Sequence, residues 1–121
     1  MIGFERFPIG FWCYYPPGFE WNEKEVLEWK ECGITLTISP FFDPEKTDKA
    51  QFKKMVDFCY ENGISLIIND ARGNLGAYTK DPDGYREVYL SAVEEWKDHK
   101  GVVGFFIGDE PYGATIVPCA E

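Results

Sequence analysis

The sequence lacks features that define several classes of protein. It contains one histidine, His99, which lies at the end of a predicted helix, so a metal-dependent hydrolase with histidine ligands at strand ends is a weak interpretation. Four cysteines, Cys13, Cys32, Cys59 and Cys119, form no C-x-x-C pair, which argues against a zinc site or a disulfide framework. We expect these cysteines, two of them at predicted helix ends, to be small core residues, and we expect neither a metal nor a cofactor.

Long apolar runs and clusters of positive charge are also missing. No stretch approaches the roughly 18 to 20 apolar residues that cross a bilayer, and no basic region followed by an apolar one opens the chain. We therefore expect no membrane partner and, by default, a cytoplasmic location. The 12 Lys and Arg against 21 Asp and Glu give a net charge of −9, which repels phosphate backbones and makes nucleic acid an unexpected partner.

Hydrophobic residues and a repeated pattern are what the sequence does contain. Its 121 residues are 45% hydrophobic, with ten Phe, seven Tyr and four Trp, enough for the core of one domain. Three times a helical pattern ends at a glycine that opens an apolar run, at Gly33, Gly63 and Gly101. Their spacing is about one βα unit, so the sequence predicts parallel strands connected by helices.

Periodicity indicates where the strands and helices lie. Residues 9–14, 34–38, 64–68 and 102–107 are nearly all apolar, as in strands that are buried on both faces, which fits a parallel sheet covered by helices. Residues 72–84, rich in Gly, Asn, Asp and Pro, read as a loop. Three helices are predicted, the first capped by Asn22. Their buried stripes are Val26 and Trp29; Phe52, Met55, Val56 and Cys59; and Tyr85, Val88, Tyr89, Ala92, Val93 and Trp96.

Polar and aromatic residues concentrate where the predicted strands end. Because ligands of α/β proteins bind at the carboxyl ends of parallel strands, these residues are candidates for a site. The last strand runs into Gly108, Asp109, Glu110 and Pro111. The candidate substrate contacts are Trp12, Tyr14, Asn69, Asp70, Arg72 and Asp109.

Structural roles remain open for the same candidates. The two aromatics, Trp12 and Tyr14, are as typical of a core as of a ligand platform. Asn69 and Asp70 can simply shape a turn, and Arg72 can pair with Asp70 or Asp109 in a structural ion pair. Glu110 can be a solvated loop acid in a Gly-Asp-Glu-Pro turn.

The segment around Glu110 resembles the clan of retaining (β/α)8 glycoside hydrolases, whose general acid/base is a Glu ending the fourth strand, usually as Asn-Glu-Pro. Counting strands puts Glu110 at that position. The resemblance implies an α/β fold, specifically a partial TIM (β/α)8 barrel of about four parallel strands and three helices, as a single domain over residues 1–121 truncated after strand 4. It also implies a carbohydrate substrate, hydrolysis of O-glycosidic bonds with retention, and Glu110 as the catalytic acid/base.

Two departures from the family limit what the chain alone should do. Asp109 stands where the family usually has Asn, and a carboxylate accepts from a sugar 2-hydroxyl but cannot donate to it. The family's nucleophile ends the seventh strand, beyond this chain, so we expect the chain alone to be inactive. Residues 112–121 lack helical periodicity. The alternative is a non-catalytic carbohydrate-binding half-barrel, or one that self-associates through the exposed edges of its first and fourth strands.

Overall fold

A computed structural model describes residues 7–12, 14–16 and 19–109 of the chain. Four strands form one sheet in chain order, and all neighbouring pairs are parallel. The strands are β1 (Gly10–Phe11), β2 (Leu36–Phe42), β3 (Ser65–Asp70) and β4 (Val102–Phe105). The prediction of an α/β fold with four parallel strands is therefore confirmed.

The described residues form four α-helices, one more than predicted. These are α1 (Glu23–Glu31), α2 (Lys49–Glu61), α3 (Leu75–Lys80) and α4 (Pro82–Trp96). Asn22 caps α1 as expected, since its Oδ1 accepts from the Glu25 N–H at 3.2 Å. None of the helices in the described ranges is long and apolar enough to span a membrane.

The interpretation of residues 72–84 as a loop is wrong. The segment begins within a 3₁₀ turn at Ala71–Gly73. It then contains all of α3 and the start of α4. The polar residues that indicated a loop are helix caps: Asn74 accepts from the Gly76 N–H, and Asp81 accepts from the Gly84 N–H. Pro82 occupies the first turn of α4, where its missing N–H costs nothing.

Strand boundaries also differ from the prediction. β1 is shorter than predicted, whereas β2 and β3 extend to Phe42 and Asp70. Pro40 lies within β2 without an N–H to donate, and the β2–β3 register shifts between Ile38 and Phe41. The Ser39 hydroxyl accepts the Asn69 N–H at 3.0 Å, which keeps the two strands joined across this irregularity.

The buried core lies on one face of the sheet. Helices α1, α2 and α4 pack there against Phe42, Leu66 and Ile68. A parallel sheet whose strand order equals its chain order receives right-handed crossovers on a single side. The predicted α2 stripe is buried in full, but two expectations fail: Val88 is 42% exposed, and Cys32 is exposed while Cys59 is buried.

The opposite face carries no helix among the described residues, and we call it the open face. Register pairs Ile38 with Ile67 and Phe41 with Asn69, so these residues share it. In the described part of the chain helices therefore bury one face of the strands, whereas the apolar strand sequences predicted burial on both faces. The open face includes Trp12, Leu36, Ile38, Phe41, Ile67 and Asn69.

Candidate functional site

The carboxyl ends of the two outer strands meet across the open face. Trp12, next after β1, packs edge-on against Phe106, next after β4, with ring centroids 5.2 Å apart. Tyr14 donates its phenolic proton to Asp109 Oδ2 at 2.5 Å. The outer strands of a flat four-stranded sheet lie about 14 Å apart, too far for side chains perpendicular to it to meet. The open face is therefore concave at this end.

We call this end of the open face the mouth, comprising Trp12, Tyr14, Asn69, Phe106 and Asp109. Trp12 is 55% exposed and Tyr14 71% exposed, so their rings are accessible at the surface. The mouth thus brings together four of the six candidate substrate contacts. These four candidates supply two aromatic rings, one amide and one carboxylate at the carboxyl edge of the sheet, where α/β proteins bind ligands.

Asn69 has an unused hydrogen-bond acceptor. Its Oδ1 is buried and has no partner among the described residues. The Asn69 backbone N–H, by contrast, is bound to the Ser39 hydroxyl. Buried polar atoms are almost always hydrogen-bonded, so an unpartnered amide oxygen at a mouth is suited to accept from a ligand hydroxyl or a water.

Asp70 and Arg72 lie on the helix-covered face and bind each other. The Asp70 carboxylate is fully buried and accepts from Arg72 Nε at 3.0 Å and from Arg72 Nη2 at 2.7 Å. Trp96 Nε1 also donates to it, at 3.2 Å. The hydrogen bond to Asp70 raises the pKa of Arg72. The structural ion pair that the sequence left open is present, and it directs these two side chains away from the mouth.

Glu95 on α4 completes this ion network, and sequence reasoning missed it. Its carboxylate accepts from Arg72 Nη2 at 2.8 Å and contacts Lys49 Nζ at 2.5 Å. Burial acts to raise the pKa of Glu95, but the hydrogen bonds from Lys49 and Arg72 outweigh it and lower the pKa. The sequence held one signal for its partial burial. Glu95 directly precedes Trp96, so it lies at the border of the buried stripe of α4.

A shallow cavity of about 290 Å³ lies on the open face below the mouth. Its floor is apolar and includes Leu36, Ile38 and Ile67, with Trp12 at its border. Gly10 also lines it, and a Cβ at that position would lie 2.7 Å from the Leu36 carbonyl oxygen. Only glycine therefore lets β1 approach β2 closely enough to form this floor.

The remaining residues considered as functional candidates lie outside the mouth. The described ranges contain no group of three or more His, Cys, Asp or Glu that could hold a metal ion. His99 lies near the amino end of β4, where its Nδ1 accepts the Gly101 N–H and its Nε2 is 2.8 Å from Asp57 Oδ1. Glu110, the predicted acid/base, lies outside the described residues, as do Cys13, Cys119 and residues 112–121.

Comparison with known proteins identifies no relative. No protein-family model matches the sequence, and no curated protein and no solved structure shows significant similarity to it. The fold and the geometry of the mouth are therefore the basis for a functional conclusion.

Proposed function

We propose that the chain is part of a retaining (β/α)8 glycoside hydrolase, in which the open face belongs to the barrel interior and Glu110 is the general acid/base. One observation carries the proposal. Asp109, the residue before Glu110, accepts a hydrogen bond from Tyr14 at the carboxyl edge of an all-parallel sheet. Catalytic acids of such barrels occupy that edge.

The chemistry of the mouth suits a carbohydrate. The exposed faces of Trp12 and Tyr14 can pack on the apolar faces of sugar rings. Asn69 Oδ1 can accept from a sugar hydroxyl, and Asp109 can accept from a second one. We assign these four residues to substrate binding. Asp70 and Arg72 stabilise β3 on the helix-covered face, since they bind each other and Arg72 also donates to Glu95.

The reaction needs two carboxyl groups about 5 to 5.5 Å apart. Glu110 would protonate the glycosidic oxygen while the second carboxylate attacks the anomeric carbon and expels the alcohol. Glu110 would then take a proton from water as that water displaces the enzyme carboxylate. Asp70 does not suit the second role, because its carboxylate is fully buried on the other face. The nucleophile in this proposal comes from a strand beyond this chain.

The test uses the full-length protein that contains this sequence, assayed on a panel of 4-nitrophenyl glycosides. Glu110→Ala should slow hydrolysis by about 10²- to 10⁴-fold, as loss of an acid/base group does. Azide should restore turnover of the activated substrates and yield a glycosyl azide of retained configuration, because azide needs no general base. Glu31→Ala, an exposed glutamate ending α1, is the control and should leave the rates unchanged.

Two outcomes would contradict the proposal: hydrolysis that Glu110→Ala leaves intact, or hydrolysis that is lost and not restored by azide in a folded variant. A full-length protein without further βα units and a strand-terminal carboxylate would also contradict it.

The second candidate, a non-catalytic carbohydrate-binding module, is favoured by the exposed rings of the mouth. It predicts sugar-dependent changes in tryptophan fluorescence of the full-length protein that Trp12→Ala abolishes, with no hydrolysis of any glycoside.

A further inference from the structure

We infer that the isolated chain associates with a second copy of itself to close an eight-stranded parallel barrel. Each copy's β4 would pair with its partner's β1, and the two open faces would enclose one interior. The inference uses the half-barrel shape of the proposed function but none of its chemistry. A failure of the glycosidase test therefore leaves it standing, and the converse holds as well.

The open face leaves apolar surface uncovered among the described residues. All-parallel sheets occur almost only with both faces covered, yet here three aromatic rings on or beside the open face are half exposed or more: Trp12, Tyr14 and Phe41. At roughly 150 to 250 Å² for a whole aromatic side chain, their exposed parts come to on the order of 300 to 450 Å² per copy. The exposed aromatic surface of two copies together therefore approaches the minimum buried area of a specific interface, about 1,000 Å², before the strand edges are counted.

The two edge strands of the sheet, β1 and β4, are suited to pair with each other between two copies. Within the described residues β1 pairs only with β2, and β4 pairs only with β3, so each has one unpaired side. A two-fold axis parallel to the strands brings β4 of one copy beside β1 of the other, parallel as in the rest of the sheet. The ring then has no edge left, which explains why the occupant is a second copy and not a single added strand.

The charge distribution also permits this association. The net charge of −9 would oppose association if it lay at the interface. Of the described carboxylates only Asp109 lies at the open face, at its mouth, where it accepts a hydrogen bond from Tyr14, and exposed helix acids such as Glu23, Glu28 and Glu94 lie on the helix-covered side. Eight strands also make the barrel whose interior side chains fill without a channel.

Sedimentation equilibrium of the purified chain is the test. We expect a species of twice the 13.9 kDa chain mass. Phe41→Glu should place a charge in the shared interior and weaken association at least 100-fold. Leu90→Glu is the matched control, because Leu90 is similarly exposed, at 47% against 53%, but lies on α4. It should leave the dimer intact, and circular dichroism should show both variants folded.

Hydrogen–deuterium exchange then tests the mode of association. Amides of Gly10–Phe11 and Val102–Phe105 should exchange more slowly in the dimer than in the Phe41→Glu monomer, with helix amides unchanged. A folded monomer at every soluble concentration, a larger assembly, or a dimer whose β1 and β4 amides show no added protection would each overturn the inference.

Discussion

Asn69 and Asp70 are neighbours on β3, yet their side chains serve opposite faces. Asp70 faces the helices, where its carboxylate is fully buried and accepts from Arg72 and Trp96. Asn69 faces the open side, where its Oδ1 has no partner among the described residues. On the helix-covered face both Asp70 carboxylate oxygens accept hydrogen bonds within the fold, whereas on the open face the Asn69 amide oxygen accepts none from the described residues. In the proposed function, stability and ligand binding are separated across a single strand.

The largest expected effect comes from removing Asp70. Asp70→Ala leaves the Arg72 guanidinium without its main partner in a largely buried setting, and it should lower the free energy of unfolding by about 3 to 5 kcal/mol. Urea denaturation at fixed chain concentration measures this. A loss below about 1 kcal/mol would mean that the ion network does not hold the helix-covered face together.

Glu95→Gln should have a smaller effect that depends on pH. At neutral pH it removes a charged partner of Arg72 and Lys49 and should cost about 1 to 3 kcal/mol. The folded protein lowers the pKa of Glu95 from its ordinary value of 4.5, so this contribution is present above that value and is lost as the pH falls through the folded pKa. Urea midpoints of wild type and variant should therefore differ at pH 7 and converge in acid; a constant difference would contradict this.

Asn69→Ala should change stability little, by less than about 1 kcal/mol, because no described residue donates to its Oδ1. It should instead weaken sugar binding by about 5- to 10-fold, the value of one hydrogen bond near 1 kcal/mol. Tryptophan fluorescence titration of the full-length protein measures the affinity, and the Asp70→Ala unfolding curve is the matched comparison. Equal destabilisation by the two substitutions would remove the contrast between the faces.

The smallest expected effect is a difference in reactivity between two cysteine thiols, Cys32 and Cys59. Burial raises the pKa of Cys59, in the helix-covered core, to about 12, whereas Cys32 is exposed. Since the thiolate is the reactive form, iodoacetamide at pH 8 should modify Cys32 and leave Cys59 untouched until urea unfolds the chain. Peptide mass spectrometry resolves the two sites. Rapid labelling of native Cys59 would show that this core opens locally.

Sequence reasoning succeeded where one physical signal dominated. The α2 stripe of Phe52, Met55, Val56 and Cys59 is buried because helical periodicity alone decides that face. It failed at Asn74 and Asp81, because residues that start helices are the same residues that form turns. Val88 satisfies the periodicity of α4 yet is exposed, since periodicity cannot show how much of a stripe the sheet covers.

The position of the candidate site in the fold was predictable, but the orientation of its side chains was not. The carboxyl ends of the strands were identified, and Trp12, Tyr14, Asn69 and Asp109 lie together there. Which face Asp70 occupies depends on strand register, and a shift of one residue reverses it. The contact between Tyr14 and Asp109 joins residues 95 positions apart and follows from sheet curvature, which no local pattern encodes.

The strand order has a consequence for how the chain reaches its native state. Every strand pairs with the one before it, so the sheet can grow in the order of synthesis without waiting for a distant segment. Each parallel pairing nevertheless closes a loop of a whole βα unit, which slows folding relative to a helical bundle. The contacts of Trp12 with Phe106 and of Tyr14 with Asp109 span the greatest sequence distance, because they join residues that follow the first strand to residues that follow the last, and they can form only after β4 has added. Formation of the packing around Trp12 therefore marks the final step of refolding.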